Sequence, residues 1–306
     1  TIHNWDMLER GYTMHHAISQ DKQGNILATV SKTSAKIANG KDVRINDFII
    51  MMDPEKGEIL QEWDLVHMLD SARYGMTDYD LTSDPFAQSA SNWAHNNGIV
   101  EWGDDYLATA RYQGIFKFNK AGGIEWIISP HGYWRDKYLK LLLNPLHADG
   151  TPITDPEVIA GTKNCDDFEW PWGCHTAVPL PNGHILYFNN GYGRNFKLDF
   201  TDRKNIYTCG IEYEVDEVNR TVRQVWQYGK ERGAAYFTPA RSGVQYLEQT
   251  GNRLICPGMS NVLSNGNRGA RVTEVDPETQ DVVFELELED AIYQRVYRMS
   301  LYPENQ

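Results

Sequence analysis

Phe168-Glu-Trp-Pro-Trp-Gly-Cys-His175-Thr-Ala-Val-Pro-Leu-Pro-Asn-Gly183-His-Ile-Leu-Tyr-Phe-Asn-Asn190-Gly191 sets a histidine before a short apolar strand, a Pro/Asn/Gly turn and a second strand. The frame recurs. His16 stands eight residues before Gly24 and Asn25-Ile-Leu-Ala28, and His95 eight before Gly103 and Asp104-Asp-Tyr-Leu-Ala108. A fourth copy lacks its histidine: Gly243 stands eight residues before Gly251 and Asn252-Arg-Leu-Ile-Cys256. A second apolar pair follows each of these, in the first copy Asp47-Phe-Ile-Ile-Met-Met-Asp53 with Glu58-Ile-Leu-Gln-Glu-Trp63. Four short strands per repeat, with copies starting about 80 residues apart or nearer 70 for the last, describe the blades of an all-β propeller.

Blades are expected over 12–64, 93–129, 174–228 and 243–289, forming one propeller domain over 1–306 or the C-terminal part of one. Asp21-Lys-Gln-Gly24 and Asp53-Pro-Glu-Lys-Gly57 have the residues that tight turns need. Residues 65–92 read as a loop crossing the surface. Within an insertion over 131–147, Tyr133-Trp-Arg-Asp-Lys-Tyr-Leu-Lys-Leu-Leu-Leu-Asn144 has apolar residues at helical spacing before Pro145, which predicts one short helix. The tail, Ile292 to Pro303, alternates like one further strand.

The chain has 306 residues, is 41% hydrophobic and carries a net charge of −13, which argues against a nucleic-acid groove and its clustered cations. An anionic small molecule could still bind where arginine is locally concentrated. No run approaches the roughly eighteen apolar residues of a membrane span. The chain starts at Thr1 with no charged-then-apolar leader, so a processed or truncated end is expected. Cys165, Cys174, Cys209 and Cys256 form no Cys-x-x-Cys pair. They read either as four reduced thiols or as two such thiols beside a small Cys165–Cys174 loop.

The first strand of a propeller blade lines the central axis, so matched positions of successive blades converge. His16, His95 and His175 should therefore face one cavity. Arg111 lies one hairpin from His95, and Asn97, two residues on, shares its side of the strand. Arg111, His95 and Asn97 together suit an anion, with Arg111 supplying a fixed cation and planar donors. Each residue alone also has an ordinary structural explanation, such as a buried histidine or an arginine paired with a channel carboxylate. Three neutral imidazoles could hold zinc or copper. Alternatively one imidazole could attack an electrophile while the others and Arg111 hold its oxygens. A cation beside the ring repels a metal ion and favours the second chemistry, and no metal or cofactor is expected.

Asn92-Trp-Ala-His95-Asn-Asn97, Ala110-Arg111-Tyr-Gln-Gly114, Trp172-Gly-Cys-His175-Thr-Ala177 and Trp226-Gln-Tyr-Gly-Lys-Glu-Arg-Gly233 together resemble the bacterial arylsulfate sulfotransferases. The resemblance implies a six-bladed propeller. It implies transfer of a sulfuryl group from a phenolic sulfate ester to another phenol, by a ping-pong reaction through a sulfohistidine and without a nucleotide donor. His175 would be the nucleophile, His95, Asn97 and Arg111 would bind sulfuryl oxygens, and His16 would complete the ring, with His16 or His15 protonating the leaving phenolate. Tyr112, Trp172 and Tyr192, with Phe168 and Trp170, are expected to wall the aryl group, and Ser242 to reach the channel; each aromatic could equally be blade core. The expected partners are an aryl sulfate donor and a phenolic acceptor, with no nucleic acid; a homodimer partner and an upstream segment that completes the propeller stay open. The family is typically exported to the periplasm, where a disulfide is permitted. Some members carry a short disulfide loop before the catalytic histidine, which Cys165 and Cys174 match only approximately. The remaining alternatives are a non-catalytic propeller platform and a metal-dependent hydrolase or lyase using the three histidines.

Overall fold

The computed structural model describes residues 3–32, 47–87, 92–259 and 261–290. Its first sheet is a meander of β1 (Tyr12–Gln20), β2 (Ile26–Lys32), β3 (Asp47–Met52) and β4 (Ile59–Asp64). Short Asx turns build its hairpins: Asp21 Oδ1 accepts from the amides of Gln23 and Asn25, and Asp53 Oδ1 from those of Glu55 and Lys56. Gly24 (φ 86°) and Gly57 (φ 67°) take the left-handed positions that close these turns.

The second sheet repeats the meander with β5 (Asn96–Trp102), β6 (Asp105–Ala110), β7 (Gly114–Phe118) and β8 (Ile124–Ile128). After β9 (Asn144–Leu146) come β10 (His175–Pro179), β11 (Ile185–Asn189), β12 (Cys209–Asp216) and β13 (Thr221–Tyr228), with β9 on the outer edge. The fourth sheet has β14 (Ser242–Tyr246), β15 (Arg253–Pro257), β17 (Arg268–Val275) and β18 (Val282–Glu289), with the two-residue β16 (Asn261–Val262) also on β17. Helices are single turns: α1 (Leu65–Met68), α2 (Asp136–Leu139), α3 (Pro156–Ala160) and α4 (Gly233–Tyr236). No helix among the described residues is long and apolar enough to cross a membrane.

The first strands touch in succession, β1 with β5, β5 with β10 and β10 with β14, which is the inner wall of a propeller. Side chains on alternating faces fill the gaps between blades. Along β3, Ile49 and Met51 join the main core while Phe48 and Ile50 pack into a separate cluster on the other face. Trp63 of the first blade meets Tyr106 and Phe118 of the second at 4.9 and 5.3 Å, and Phe188 and Trp226 of the third share a cluster with Val244 and Ile255 of the fourth. Each such buried side chain contributes about 1.5–3 kcal/mol, so the sheets hold one another in register.

In the insertion the predicted helix is one turn, Asp136–Leu139, and the apolar run beyond it is extended. Ile127 N donates to Leu141 O at 2.8 Å and Leu143 N to Ile127 O at 3.0 Å, so the free edge of β8 captures this backbone. β9 then pairs in parallel with β13, through Val222 opposite Pro145. The helical spacing of the leucines is overridden because Leu142 and Leu143 bury against these edges. The tail strand expected over Ile292 to Pro303 lies outside the described residues.

None of the four cysteines is in a disulfide. The Cys165 thiol donates to Asp167 Oδ1 at 3.2 Å, whereas the fully buried Cys174 thiol faces the Ala110 carbonyl at 3.8 Å. The Cys165–Cys174 loop considered above is therefore not formed, because the two thiols are committed to different surroundings.

Candidate active site

The inner strands break their register at one level. Pairing is interrupted between Met14 and Ile18, between Asn96 and Gly98, and between His175 and Ala177. Bulges of this kind re-aim side chains, and here the non-glycine residues His16 (φ 53°), His95 (φ 53°) and Thr176 (φ 48°) take left-handed conformations. Threonines from the second strands brace the distorted stretches, one through backbone and one through a side chain. Thr29 Oγ donates to the His15 carbonyl and accepts from Ala17 N at 3.1 Å, and Thr109 Oγ donates to Asn97 Oδ1 at 2.7 Å.

The turned residues open on a cavity of about 570 Å³, lined by His16, His95, Asn97, Arg111, His175 and Ser242, which the repeat and the motifs had indicated. Ser242 fits the repeat better than Gly243 does. The fourth hairpin closes at Tyr246 and Arg253 around residues 247–252, one more than the 180–184 between Pro179 and Ile185. Four residues back from each closing position stand Ser242 and His175.

Tyr112, Trp172, Tyr192 and His15 do not line the cavity. Tyr112 and Tyr192 point their hydroxyls at the buried Asp84, at 2.7 and 3.2 Å, and Trp172 packs against Phe196. Phe168 and Trp170 are likewise blade core. The apolar wall comes instead from Phe86, Pro85, Ile18 and Ala240. Phe86 and Pro85 belong to the loop after the first blade, where the sequence offers no repeat signal. Arg241 also lines the cavity and was missed, although it directly precedes the fourth repeat strand.

His175 is buried and its tautomer is fixed. Nδ1 lies 2.6 Å from Asn190 Oδ1 and 3.2 Å from Gly173 O, both acceptors, so Nδ1 carries the proton. Asn190 is oriented in turn, because its Nδ2 donates to Thr238 O at 2.9 Å and to Ser242 Oγ at 2.7 Å. His175 Nε2 is thus left with its lone pair. Burial, together with the positive Arg111 and the neighbouring His16, lowers the His175 pKa to about 3, so the imidazole is neutral at physiological pH.

Arg111 is buried, with its guanidinium 4.7 Å above both the Phe86 and the Tyr192 rings. Nη2 donates to the Pro239 carbonyl at 2.7 Å, Nε has no partner, and among the described residues no carboxylate pairs with this cation. Asn97 Nδ2 donates to Cys174 O at 2.7 Å, which fixes the amide at the wall. His95 Nε2 lies 3.1 Å from His16 Nε2, with ring centroids 4.7 Å apart, and the His16 ring is 6.4 Å from that of His175. Burial lowers both: His95 well below its ordinary value, and His16 to about 4, with help from His15, Arg111 and Arg241.

No Asp or Glu lines the cavity among the described residues, while two arginines do, in a chain of net charge −13. Such a cavity selects anions, and neutral imidazoles beside fixed cations suit nucleophilic attack on a bound oxyanion. Among the described residues, the side chains whose ligand atoms converge within 4.8 Å, as a metal would need, are His147, Cys165 and Asp167, which do not line the cavity.

The arylsulfotransferase (ASST) family model matches residues 1–298. Arylsulfate sulfotransferase AssT of Escherichia coli O6:H1 is 29% identical over 325 residues, covering 96% of this chain and 54% of that protein. The protein of the same name from Lelliottia amnigena is 29% identical over 326 residues, with the same coverage of both. The chain thus spans about half the length of the curated relatives it matches. Among solved structures, a europium-containing methanol dehydrogenase is similar with a TM-score of 0.45 at 13% identity, over 93% of this chain and 48% of its own, too distant a likeness to bear on function.

Proposed function

The chain belongs to the arylsulfotransferase family, and we propose that it moves a sulfuryl group from an aryl sulfate to a phenol through a covalent adduct on His175. The observation that carries this reading is the fixed tautomer: a buried, neutral imidazole with Nδ1–H held by Asn190 and Nε2 bare, beside an arginine that has no carboxylate partner among the described residues.

In the first half-reaction His175 Nε2 attacks sulfur, the S–O(aryl) bond breaks, and the electron pair leaves on the phenolate. The adduct keeps its proton on Nδ1, where Asn190 Oδ1 stabilises the positive ring. In the second half-reaction an acceptor phenol gives its proton to His16 as its oxygen attacks sulfur, and the S–N pair returns to Nε2. Sulfuryl transfer, like phosphoryl transfer, has a loose in-line transition state, so positioning and charge stabilisation dominate. Arg111 and Arg241 would hold the equatorial oxygens with Asn97. Ser242 Oγ accepts from Asn190 and so has its own O–H free to donate to a third oxygen. Phe86, Pro85 and Ile18 would hold the aryl ring. An exported, periplasmic location is part of the same proposal and rests on the family resemblance alone.

The test is release of 4-nitrophenol from 4-nitrophenyl sulfate, with and without added phenol, by the wild type and His175→Asn, with intact mass of the donor-treated protein. Phenol-stimulated release and a sulfuryl mass increment, both lost in the variant, are expected. A folded wild type that gives neither release nor adduct would overturn the reading and leave a binding platform in its place.

A further inference from the structure

Next to the nucleophile a file of side chains leaves the cavity, and its donors and acceptors run in one direction. Asn92 Nδ2, which faces the carbonyls of Phe86 and Ala87 at 3.4 and 3.3 Å, lies 3.0 Å from His95 Nδ1 and donates to it. The proton of neutral His95 is therefore on Nε2, which donates to His16 Nε2 at 3.1 Å. His16 must then carry its proton on Nδ1, 3.0 Å from His15 Nδ1. His15 in turn carries its proton on Nε2, which has no hydrogen-bond partner among the described residues and faces Asp47 Oδ1 at 3.6 Å, with the Val30 carbonyl beside the ring. Asp47 is 2% exposed, and its Oδ2 accepts from the Asn96 amide at 2.9 Å.

We propose that Asp47 is the proton store of the transfer reaction, exchanging one proton with the cavity through His15 and His16. The proposal rests on the sulfuryl-transfer reading above. With Asp47 protonated, its proton is donated to His15 Nε2, His15 Nδ1–H is donated to His16 Nδ1, and His16 carries N–H on Nε2. Two N–H groups cannot share the line between the rings, so the His95 ring swings off it and leaves the His16 Nε2–H, fixed in its own ring plane, for a substrate oxygen. When the phenolate leaves, His16 Nε2 gives it that proton, His16 Nδ1 takes one from His15, and His15 Nε2 takes the one from Asp47, which is left as the carboxylate. The acceptor phenol reverses each hop: its hydroxyl proton enters at His16 Nε2 and Asp47 is reprotonated. One proton leaves the store in the first half-reaction and one returns in the second, so the cycle balances without solvent.

The charge balance of the site agrees with this. Asp47 faces His15 on β1 and the backbone amides of His95 and Asn96 where β5 begins, and burial outweighs those amides and lifts its pKa to about 7. His16 faces His15, His95, His175, Arg111 and Arg241, and burial with these neighbours keeps it neutral. A spare proton at neutral pH therefore sits on the carboxyl. His15 and Asp47 touch no substrate and act through His16 as positioning residues.

The experiment compares single-turnover phenol release from phenyl sulfate and from 4-nitrophenyl sulfate in the wild type, Asp47→Asn and His15→Asn, from pH 5.5 to 8.5. The poor leaving group needs the proton and the activated one does not. Both variants should lose about 10²-fold on phenyl sulfate, the usual size of general acid catalysis, and only a few-fold on 4-nitrophenyl sulfate. The wild-type rate on phenyl sulfate should fall as pH rises through about 7, where Asp47 loses its proton, and Asp47→Asn should lack that limb. Equal losses on both donors, or an unchanged limb, would overturn the proposal. Nitrogen-15 NMR of His16 needs no substrate: its tautomer should switch near pH 7 in the wild type and stay fixed in Asp47→Asn. If the wild type released no phenol from either donor, the transfer reading would fall, and the tautomer measurement would still decide whether Asp47 drives the file.

Discussion

Asn190→Ala is the substitution that most directly probes how the fold prepares its nucleophile. The Asn190 amide makes three contacts, to His175 Nδ1 at 2.6 Å, Thr238 O at 2.9 Å and Ser242 Oγ at 2.7 Å. Two of these partners keep a second bond after truncation: His175 Nδ1 has Gly173 O at 3.2 Å, and Thr238 O has Thr208 Oγ at 3.3 Å. The stability loss is therefore that of one newly unsatisfied buried group plus a small void, about 1–3 kcal/mol, rather than three full penalties. The chemical loss is separate. A buried hydrogen bond worth about 1.5 kcal/mol corresponds to roughly tenfold in rate, and freeing the ring to rotate and change tautomer adds to it, giving about 10–100-fold, as for the orienting partners of metal-bound histidines. The assay is the nitrophenol burst at saturating 4-nitrophenyl sulfate, alongside urea unfolding of the same preparation. A burst rate within about twofold of wild type, with the stability loss present, would show that Asn190 is a strut and that Gly173 O alone sets the tautomer.

Two further outcomes follow from groups already described. The folded pKa of His175, about 3, is lowered from 6.5, so the unfolded chain binds the extra proton and stability falls as pH drops from 6.5 toward 3, by at most about 1.4 kcal/mol per pH unit from this group; Asp47, raised to about 7, works in the opposite sense, losing stability as pH rises toward 7. Urea midpoints between pH 5 and 7.5 should show a shallower acid loss in His175→Gln, and an unchanged slope would refute the assignment. For the thiols, the native chain should take one alkyl group quickly, at half-buried Cys165, and three more only when unfolded, with no mass change on reduction; a gain of two hydrogens on reduction would show a disulfide.

The repeat of strand pairs was enough to identify a propeller, because alternating burial and Asx or Gly turns are local properties that each blade writes out again. It also placed His16, His95 and His175 at one depth, since strands of equal length carry equal positions to the same wall, and the cavity holds all three with Asn97, Arg111 and Ser242. It failed where an element is decided by its neighbours. The leucines of the insertion are spaced for a helix but lie extended, because the open edges of β8 and β13 give their backbone better partners. Tyr112, Trp172 and Tyr192 stand next to site residues in sequence, yet all three are buried away from the cavity, the two tyrosines on Asp84 and Trp172 on Phe196, which leaves the apolar wall to Phe86 from a distant loop. The tautomer of His175 and the file from Asn92 to Asp47 join residues up to 79 positions apart through distances of a few ångströms. The sequence by itself determined that the three histidines share one depth, because repetition fixes position along each inner strand; only the tertiary structure decided which aromatic side chains wall the cavity and which nitrogen carries each proton, because both depend on what other strands and loops bring to each ring.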